Sequence, residues 1–478
     1  MTDNTTSGMQ LEAAHITEFF RRRSLRVRIV GGYAAPTLYV YRLEMAPNQE
    51  FAKVSGAMDD LQRIVYSHRL QSGLIDDSNP MQRVVCRLSP QPLVLEVNRP
   101  QPQLLELQQV AWQQRPFRGL AGVAYTSRQG QAVIWDLADP GQPHALIAGM
   151  SGSGKSNLEL ALAITLATGT SPDQLTLYVV DGGNSSLQLL DKLQHTAAFA
   201  GDAAGALATV RNVVAIVMDR KRRNDTEAAH RVLLIVDELA NLLAVMDREE
   251  SQQLQRDLAT VAAEGRKFGV HLMACTQKPL SEVTGSLVKG NMAMRFVGLV
   301  ASWQDAQTAA DMPGTGAERL AGGGDFIVRR GPACTRFQAP LVLPLQAIRH
   351  ANSKWRGVDP SAIHAQLRSL VDDQVDGEED GSERPAGSIP PALLAVFAQF
   401  TTADGSLRRG GVAAALRALH GDEAPQSGKR YQVEYDRIMA WHSTYFTSLP
   451  DTSTSGRTSV LPEPIIVGSE VKEPRVWF

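Results

Sequence analysis

Five apolar runs between residues 144 and 300 constrain the fold more than any other feature of the chain. They are "HALIA" (144–148), "LTLYVV" (175–180), "VLLIV" (232–236), "VHLMAC" (270–275) and "RFVGLV" (295–300). Segments with helical spacing separate these runs. Uninterrupted branched aliphatic runs are typical of strands covered on both faces, and helical crossovers join parallel strands. The sequence therefore predicts an α/β domain with a mostly parallel sheet.

The segments on either side have different patterns. Strand-like runs with one helical segment come first, punctuated by Gly and Pro, and predict a small α+β domain. An acidic stretch rich in Gly, Ser and Pro follows the α/β domain and predicts a linker before three short helices. The expected boundaries are an N-terminal tail and lead helix (1–24), the α+β domain (25–118), the α/β domain (119–347), the linker (348–387), a small helical domain (388–450) and a disordered tail (451–478).

Charge, hydropathy and cysteine usage exclude several classes of protein. The formal net charge of the 478 residues is −2, so any nucleic-acid surface must be local. No run approaches the roughly 18 apolar residues of a membrane helix, and the N-terminus lacks an export signal. The three cysteines, Cys86, Cys275 and Cys334, are far apart and lack metal-ligand spacing. We expect a soluble cytoplasmic protein without membrane insertion.

The most specific local signal is "GMSGSGKS" at residues 149–156, which fits the phosphate-loop pattern G-x-x-x-x-G-K-[ST]. Glycines let backbone N–H groups approach phosphates, and the start of the next helix adds its positive dipole end. Lys155 would reach the β and γ phosphates, and Ser156 would bind Mg²⁺. The alternative is a glycine-rich turn without a ligand. The residues expected to bind ATP are Gly149, Ser151, Gly152, Ser153, Gly154, Lys155, Ser156 and Asn157.

Polar residues follow two of the apolar runs. Asp237 and Glu238 come after "VLLIV", at the strand end where open α/β sheets place ligands. Asp237 would hold Mg²⁺ together with Ser156, and Glu238 would orient or deprotonate the attacking water. The alternative is a pair of solvated acids at a helix start. Gln277 follows "VHLMAC"; if that strand lies beside the phosphate-loop strand, Gln277 emerges next to the γ-phosphate as a sensor.

Several longer segments resemble the motor of the FtsK/SpoIIIE DNA translocases, within the FtsK/HerA group of ring ATPases. "EGRKFGVHLMACTQKP" is similar to the family's Arg-x-x-Gly-[IV]-His-Leu…Ala-Thr-Gln-[RK]-Pro segment, and "GSLVKGNMAMRFVGLVAS" resembles the continuation of that segment. "GAERLAGGGDFIV" looks like the Gly-Ala-Glu-x-Leu…Gly-x-Gly-Asp motif. The N-terminal "YAAPTLYVYRLEMAP" resembles the family's strand pair. The resemblance covers roughly residues 25–345.

This resemblance implies a RecA-like P-loop core in a homo-oligomer, a hexameric ring that moves double-stranded DNA with ATP and Mg²⁺. In such rings a neighbouring subunit supplies an arginine to the γ-phosphate. Arg266 stands at the favoured family position, with Arg295 and Arg319 as rivals. For each of them, the alternative is a cation that only ends a helix.

The resemblance also points to a DNA-binding segment. "MDRKRRND" stands where the family has a basic segment near its pore, so Arg220, Lys221, Arg222 and Arg223 would hold backbone phosphates. A solvated helix end is the alternative. Asp181 is retained, but Gly-Gly replaces the Pro-Lys that follows it in the family, which weakens the inference of DNA contacts there.

The predicted function is ATP-driven translocation of double-stranded DNA, in segregation or in transfer of a plasmid, mobile element or phage genome. Two alternatives stay open. One is a related ring ATPase that moves protein, and the other is a nucleotide-switched DNA-binding replication or partition factor. The domain at 388–450 is either a winged-helix DNA reader or a three-helix interaction module.

Overall fold

The structure of the chain is a computed structural model. It describes residues 3–78, 84–90, 92–126, 129–183, 186–226, 229–277, 290–375, 397, 411–420 and 438. The chain divides into two compact units, Met1–Gly377 and Glu378–Trp477. The second unit includes the helix Gly411–His420, which lies within one of the three segments expected to be helical. Most of the expected helical domain and the whole expected tail lie outside the described residues.

A four-stranded antiparallel sheet forms the small N-terminal domain. Its strands are β1 (Val27–Ala34), β2 (Leu38–Met45), β3 (Cys86–Pro90) and β4 (Leu93–Asn98), in the order β1-β2-β4-β3. The helices are α1 (Asp3–Arg22), α2 (Phe51–Gly56) and α3 (Met58–Gln71).

Helix α1, expected as a lead segment outside the small domain, is part of its core. Ile16, Phe19 and Phe20 of α1 pack in the same buried cluster as Tyr41 of the sheet and Val65 of α3. The apolar positions recur at helical spacing, so one face of α1 is buried and the other is exposed.

A ten-stranded sheet forms the centre of the α/β domain, in the order β6-β5-β14-β13-β12-β7-β11-β10-β8-β9. Strands β12, β7, β11, β10, β8 and β9 run parallel, and β13, β14, β5 and β6 add an antiparallel edge. The predicted α/β domain is therefore confirmed, and all five apolar runs contain strands. The bounds are β5 (Arg118–Ala124), β6 (Gln131–Asp136), β7 (Ala145–Ala148), β8 (Leu175–Asp181), β9 (Thr196–Ala200), β10 (Arg231–Asp237), β11 (Val270–Thr276), β12 (Met294–Val297), β13 (Asp325–Arg330) and β14 (Ala333–Gln338).

Helices cover both faces of this sheet. Helix α4 (Lys155–Gly169) packs in one core, and α5 (Ala203–Arg222), α6 (Leu239–Val245) and α7 (Arg248–Glu264) pack in the other. Helix Trp303–Ala310 packs against a smaller third cluster. Short 3₁₀ turns lie at Leu107–Gln109, Gln188–Lys192, Gly265–Phe268 and Ala317–Arg319. Within the described part of the chain, no helix combines the length and the apolar character needed to span a membrane.

The α/β domain extends beyond the boundary expected from the sequence. The sequence predicts a linker over 348–387, whereas the structure has the helices Pro344–Lys354 and Ser361–Val375 there. Ile348 and Ala351 are buried in the same core as α4, and Leu367 is buried in the opposite core. Apolar residues at helical spacing make these segments part of the domain, because the acidic composition begins only near residue 372.

Phe20→Ala should lower the free energy of unfolding by about 3–5 kcal/mol, because it empties a fully buried aromatic position. Chemical denaturation of the full chain measures this loss. Leu11→Ala is the control on the same helix: Leu11 is 62% exposed, so its removal should cost less than about 1 kcal/mol. Equal losses in the two variants would contradict the docking of α1.

Candidate functional site

The loop between β7 and α4 has the backbone conformation that phosphate binding needs. Gly152 and Gly154 have φ values of 80° and 98°, a left-handed region that favours glycine. A Cβ atom on Gly154 would lie 2.7 Å from the backbone nitrogen of Gly324. A residue larger than glycine therefore cannot occupy position 154 without displacing the neighbouring loop.

The order of the central strands brings the candidate residues to one edge of the sheet. Strand β11 lies between β7 and β10, with Thr276 paired to Ala148 in parallel register. The expectation that "VHLMAC" lies beside the phosphate-loop strand is confirmed. The backbone N–H of Gly149 also donates to the carbonyl of Thr276, at 3.4 Å. The phosphate loop, Gln277 and the Asp237–Glu238 pair consequently emerge side by side.

A cavity of about 280 Å³ opens at this edge. Most of the predicted nucleotide, metal and catalytic residues line it, together with three residues that the sequence did not single out as ligands. The lining residues are Ser151, Gly152, Gly154, Lys155, Ser156, Asn157, Gly183, Ser186, Asp237, Glu238, Asn241 and Gln277. Gly149 lines an adjacent cavity, and Ser153 is buried behind the loop.

Asp237 and Ser156 offer the oxygen ligands that Mg²⁺ prefers. Burial raises the pKa of the Asp237 carboxyl above its ordinary value, and the hydrogen bond with Cys275 offsets part of that rise. The Ser186 hydroxyl donates to Asp237 Oδ2 at 3.2 Å and fixes its orientation. A divalent cation at this point would stabilise the buried carboxylate, so the side chains present fit Mg²⁺.

Glu238 is held in a strained backbone conformation next to Gln277. Its φ and ψ are 47° and 53°, which costs a residue with a side chain about 1–3 kcal/mol. The backbone N–H of Gln277 donates to Glu238 Oε1 at 3.4 Å. Strained residues of this kind cluster at active sites, and the geometry places the Glu238 carboxylate at the cavity wall.

Lys155 begins α4 and is almost completely buried. Its ammonium group donates to the carbonyl of Met150 at 3.3 Å, which holds the charge within the phosphate loop.

Asp181 holds the segment that forms the far wall of the cavity, because its carboxylate accepts hydrogen bonds from the backbone N–H groups of Gly183 and Leu187.

Glu159 is a further residue beside this site that the sequence did not single out. It lies one turn after Lys155 on α4, fully buried, and its carboxylate lies within 4.8 Å of ligand atoms of Asp237 and Cys275. Burial raises the pKa of Glu159 well above its ordinary value, and the charge of Asp237 raises it further. Burial also raises the pKa of the Cys275 thiol. Protonated groups are poor metal ligands, so this cluster buttresses Asp237 rather than forming a second metal centre. The signal for Glu159 in the sequence was its position as the single acid within the apolar run "LELALAITLA".

The three candidate arginines lie in different environments. Arg266 is exposed in the turn before β11, at the sheet edge opposite the phosphate loop. Arg319 forms an ion pair with Asp59 of the small domain at 2.8 Å. Arg295, in contrast, is only 1% exposed and donates to the carbonyls of Met292 and Ala309. Of the three candidates, Arg295 is therefore the least accessible to a neighbouring subunit.

The basic segment at the end of α5 also divides into buried and exposed residues. Arg220 is 5% exposed and donates to the carbonyl of Phe268 at 2.6 Å, so it is less accessible to DNA than the three residues that follow it. The exposed side chains are paired with acids of the same chain: Lys221 with Glu264, and Arg222 and Arg223 with Asp219. These three cations lie near Arg266, at the edge opposite the phosphate loop.

Glu159→Gln should change how stability depends on pH. Because the folded-state pKa of Glu159 is raised, the folded state keeps a proton that the unfolded state releases, and the free energy of unfolding falls as pH rises from the unfolded-state pKa to the folded-state pKa. The loss is at most about 1.4 kcal/mol per pH unit. The stability of the variant relative to wild type should therefore grow as the pH rises from the unfolded-state pKa of glutamate, about 4.3, towards neutral pH.

Thermal unfolding of the two proteins, without Mg²⁺ or nucleotide, measures this difference. A stability difference that stays constant over that pH range would contradict a buried protonated Glu159.

Comparison with known proteins places this geometry in a family. Residues 104–230 match the model of the FtsK/SpoIIIE family. The DNA translocase SftA of Bacillus subtilis (strain 168) is 30% identical over 218 residues, which cover 41% of this chain and 22% of SftA. The DNA translocase FtsK of Chlorobaculum tepidum is 25% identical over 338 residues, covering 64% of this chain and 40% of that protein. The matches thus span less than half of either relative.

Solved structures with similar folds include the pCW3 conjugation coupling protein TcpA, in a monomer form with ATPgS. It is 17% identical with a TM-score of 0.45, and the match covers 71% of this chain and 99% of that one. The cytoplasmic domain of the type VII secretion ATPase EccC of Thermomonospora curvata is 20% identical with a TM-score of 0.42, covering 60% and 34%. Together, these matches show that the chain contains an ATPase motor of FtsK/SpoIIIE type, with the match to the family model confined to residues 104–230.

Proposed function

We propose that this chain uses ATP hydrolysis to move double-stranded DNA, as a homo-oligomer that forms a hexameric ring. The observation that carries the proposal is the meeting of the phosphate loop, the Asp237–Glu238 pair and Gln277 in one cavity. This is the set of groups that binding and hydrolysing a nucleoside triphosphate requires. The two relatives described above are named DNA translocases, which supports DNA as the substrate of the motor.

Each residue of the cavity has a separate role in the proposed hydrolysis. Backbone N–H groups of the loop and the ammonium of Lys155 bind the phosphates, and Ser156 and Asp237 hold Mg²⁺. Mg²⁺, when bound, neutralises the charge that develops on the β and γ phosphates. Glu238 orients the attacking water and accepts its proton, since its carboxylate lies at the cavity wall. Gln277 contacts the γ-phosphate and links its presence to β11.

Arg266 is the side chain that completes the site of a neighbouring subunit. The seven residues of β11 separate it from Gln277 by roughly 20 Å at strand geometry, too far for an arginine to reach its own phosphate loop. A nucleotide that Arg266 contacts must therefore belong to another copy. Head-to-tail association, in which each copy supplies its arginine to the next, closes into a ring or continues as a filament, and the ring is the form that the family resemblance implies.

The exposed cations Lys221, Arg222 and Arg223 are the proposed DNA contacts. The net charge of −2 gives no general attraction to DNA, so a local cluster must supply it. Each of these side chains can exchange its carboxylate partner for a phosphate, because exposed ion pairs are weak.

The proposed biological role is segregation or transfer of a plasmid, mobile element or phage genome. The proposed role of the domain at 388–450 is to bind either DNA or a partner protein. Cys86, Cys275 and Cys334 are all free, which favours the reducing cytoplasm.

Long linear double-stranded DNA should stimulate steady-state ATPase activity, and stimulation should fall as salt rises, because phosphate contacts release counterions. Lys155→Ala should abolish activity by removing the cation that binds the phosphates. Glu238→Gln should bind ATP as wild type does but hydrolyse it at least about 100-fold more slowly.

The same assay separates the alternatives. Activity that depends on Lys155 but ignores DNA at low salt would overturn translocation and favour a motor that moves protein. Slow hydrolysis with tight, nucleotide-dependent DNA binding and no displacement of a bound third strand would favour a switch.

The double variant Lys221→Gln/Arg222→Gln should weaken DNA binding and reduce the slope of log affinity against log salt by about two. The matched control is Arg21→Gln/Arg22→Gln, which removes two exposed arginines that also end a helix and pair with one acid, Glu18. Fluorescence anisotropy of labelled duplex across a salt series measures both. Equal changes in the two double variants would mean that the segment is not a specific DNA contact.

A further inference from the structure

Four buried charged side chains join the small N-terminal domain to the motor domain. Arg336 of β14 donates to Glu96 of β4 at 2.9 Å and to both oxygens of Asp325 at 2.8 and 2.6 Å. Arg87 of β3 donates to the same Glu96 oxygen at 2.8 Å. Glu96 is therefore the residue through which the small domain meets Arg336.

The network continues from Asp325 into the glycine loop before β13. The backbone N–H of Ala321 donates to Asp325 Oδ2 at 2.8 Å, which closes residues 322–324 into a tight turn. The N–H groups of Gly323 and Gly324 then donate to the carbonyls of Gly152 and Ser153, at 3.0 and 2.8 Å. The glycine loop is thus bonded directly to the phosphate loop.

The glycine loop and the phosphate loop have no free space between them. A Cβ atom on Gly154 would meet the Gly324 nitrogen at 2.7 Å, so the two backbones are in contact. A displacement of Asp325 must therefore move the peptide groups that bind phosphate. Positional errors of about 1 Å in such groups are enough to change affinity and rate severalfold or more.

The ionisation of the network is fixed by its own members. Burial raises the pKa of Glu96, but Arg87 and Arg336 outweigh that effect, and the net shift is downward. The two arginines and two carboxylates balance in charge. A buried pair of this kind is weak evidence for stability, because desolvation offsets much of its attraction, but removing one partner leaves the other charge unpaired.

We infer that Glu96 is a positioning residue for nucleotide binding, acting through Arg336, Asp325 and the glycine loop on the phosphate loop. Through these contacts the small domain contributes to the affinity of the site for ATP. This inference rests on the proposed function of the site. The phosphate loop contacts phosphates in the ground state and the transition state alike, so the effect falls on KM more than on kcat.

The test compares Glu96→Gln with Glu12→Gln in the full chain. Glu12 forms an equally buried pair with Arg69 at 2.7 Å and accepts from Tyr41, so both of these partners lie within the small domain. Both variants should lower the Tm. Only Glu96→Gln should raise the KM for ATP, and the Kd for a fluorescent ATP analogue with Mg²⁺, by roughly tenfold.

The possible results are distinct. An unchanged KM in Glu96→Gln, or equal increases in both variants, overturns the inference. Wild-type protein that fails to bind the analogue in a Lys155-dependent way overturns the proposed function instead. If Glu96→Gln does not fold, Glu96→Asp is measured in the same way; it keeps the charge but withdraws it by one methylene, and should raise KM in the same direction.

Discussion

The parallel pairing of β11 with β7 on one side and β10 on the other is the constraint on which the functional site depends. The register sets Thr276 opposite Ala148 and Ala274 opposite Val236, so the carboxyl ends of three strands reach one edge together. Each strand then contributes a different group: the phosphate loop, Gln277, and the Asp237–Glu238 pair. A slip of one residue would turn the buried set of side chains to the other face of the sheet, which the two hydrophobic cores forbid.

Burial of charge gives the site its chemical character. Lys155, Asp237 and Glu159 are all nearly removed from solvent, and burial raises the pKa of both acids. An arrangement of this kind is unfavourable by itself and is stabilised by a metal ion and phosphates of opposite charge. The strained backbone of Glu238 belongs to the same pattern, since strain persists only where surrounding contacts enforce it. The site is thus organised for ligands rather than for stability.

The motor domain presents two chemically different edges. The cavity with the proposed phosphate-binding groups lies at the carboxyl edge of the parallel strands, whereas Arg266 and the exposed cations at the end of α5 lie at the opposite edge. The proposed role of Arg266 at a neighbour's nucleotide implies head-to-tail association, in which each copy offers one edge to the next. The ionic network at Glu96 adds a route by which the small domain affects the same phosphate loop.

The sequence by itself determined the strands, the phosphate loop and the acids after β10, because periodicity and motif spacing are local properties. Only the tertiary structure decided which charged side chains are exposed and which are buried. Arg220 and Arg295 look like their exposed neighbours in the sequence but are buried, and Glu159 is hidden in an apolar helix beside Asp237. Glu96 and Arg336 lie 240 residues apart and meet through the contact between two sheets. Burial and distant contacts depend on strand order and helix packing, and no local pattern in the sequence records these.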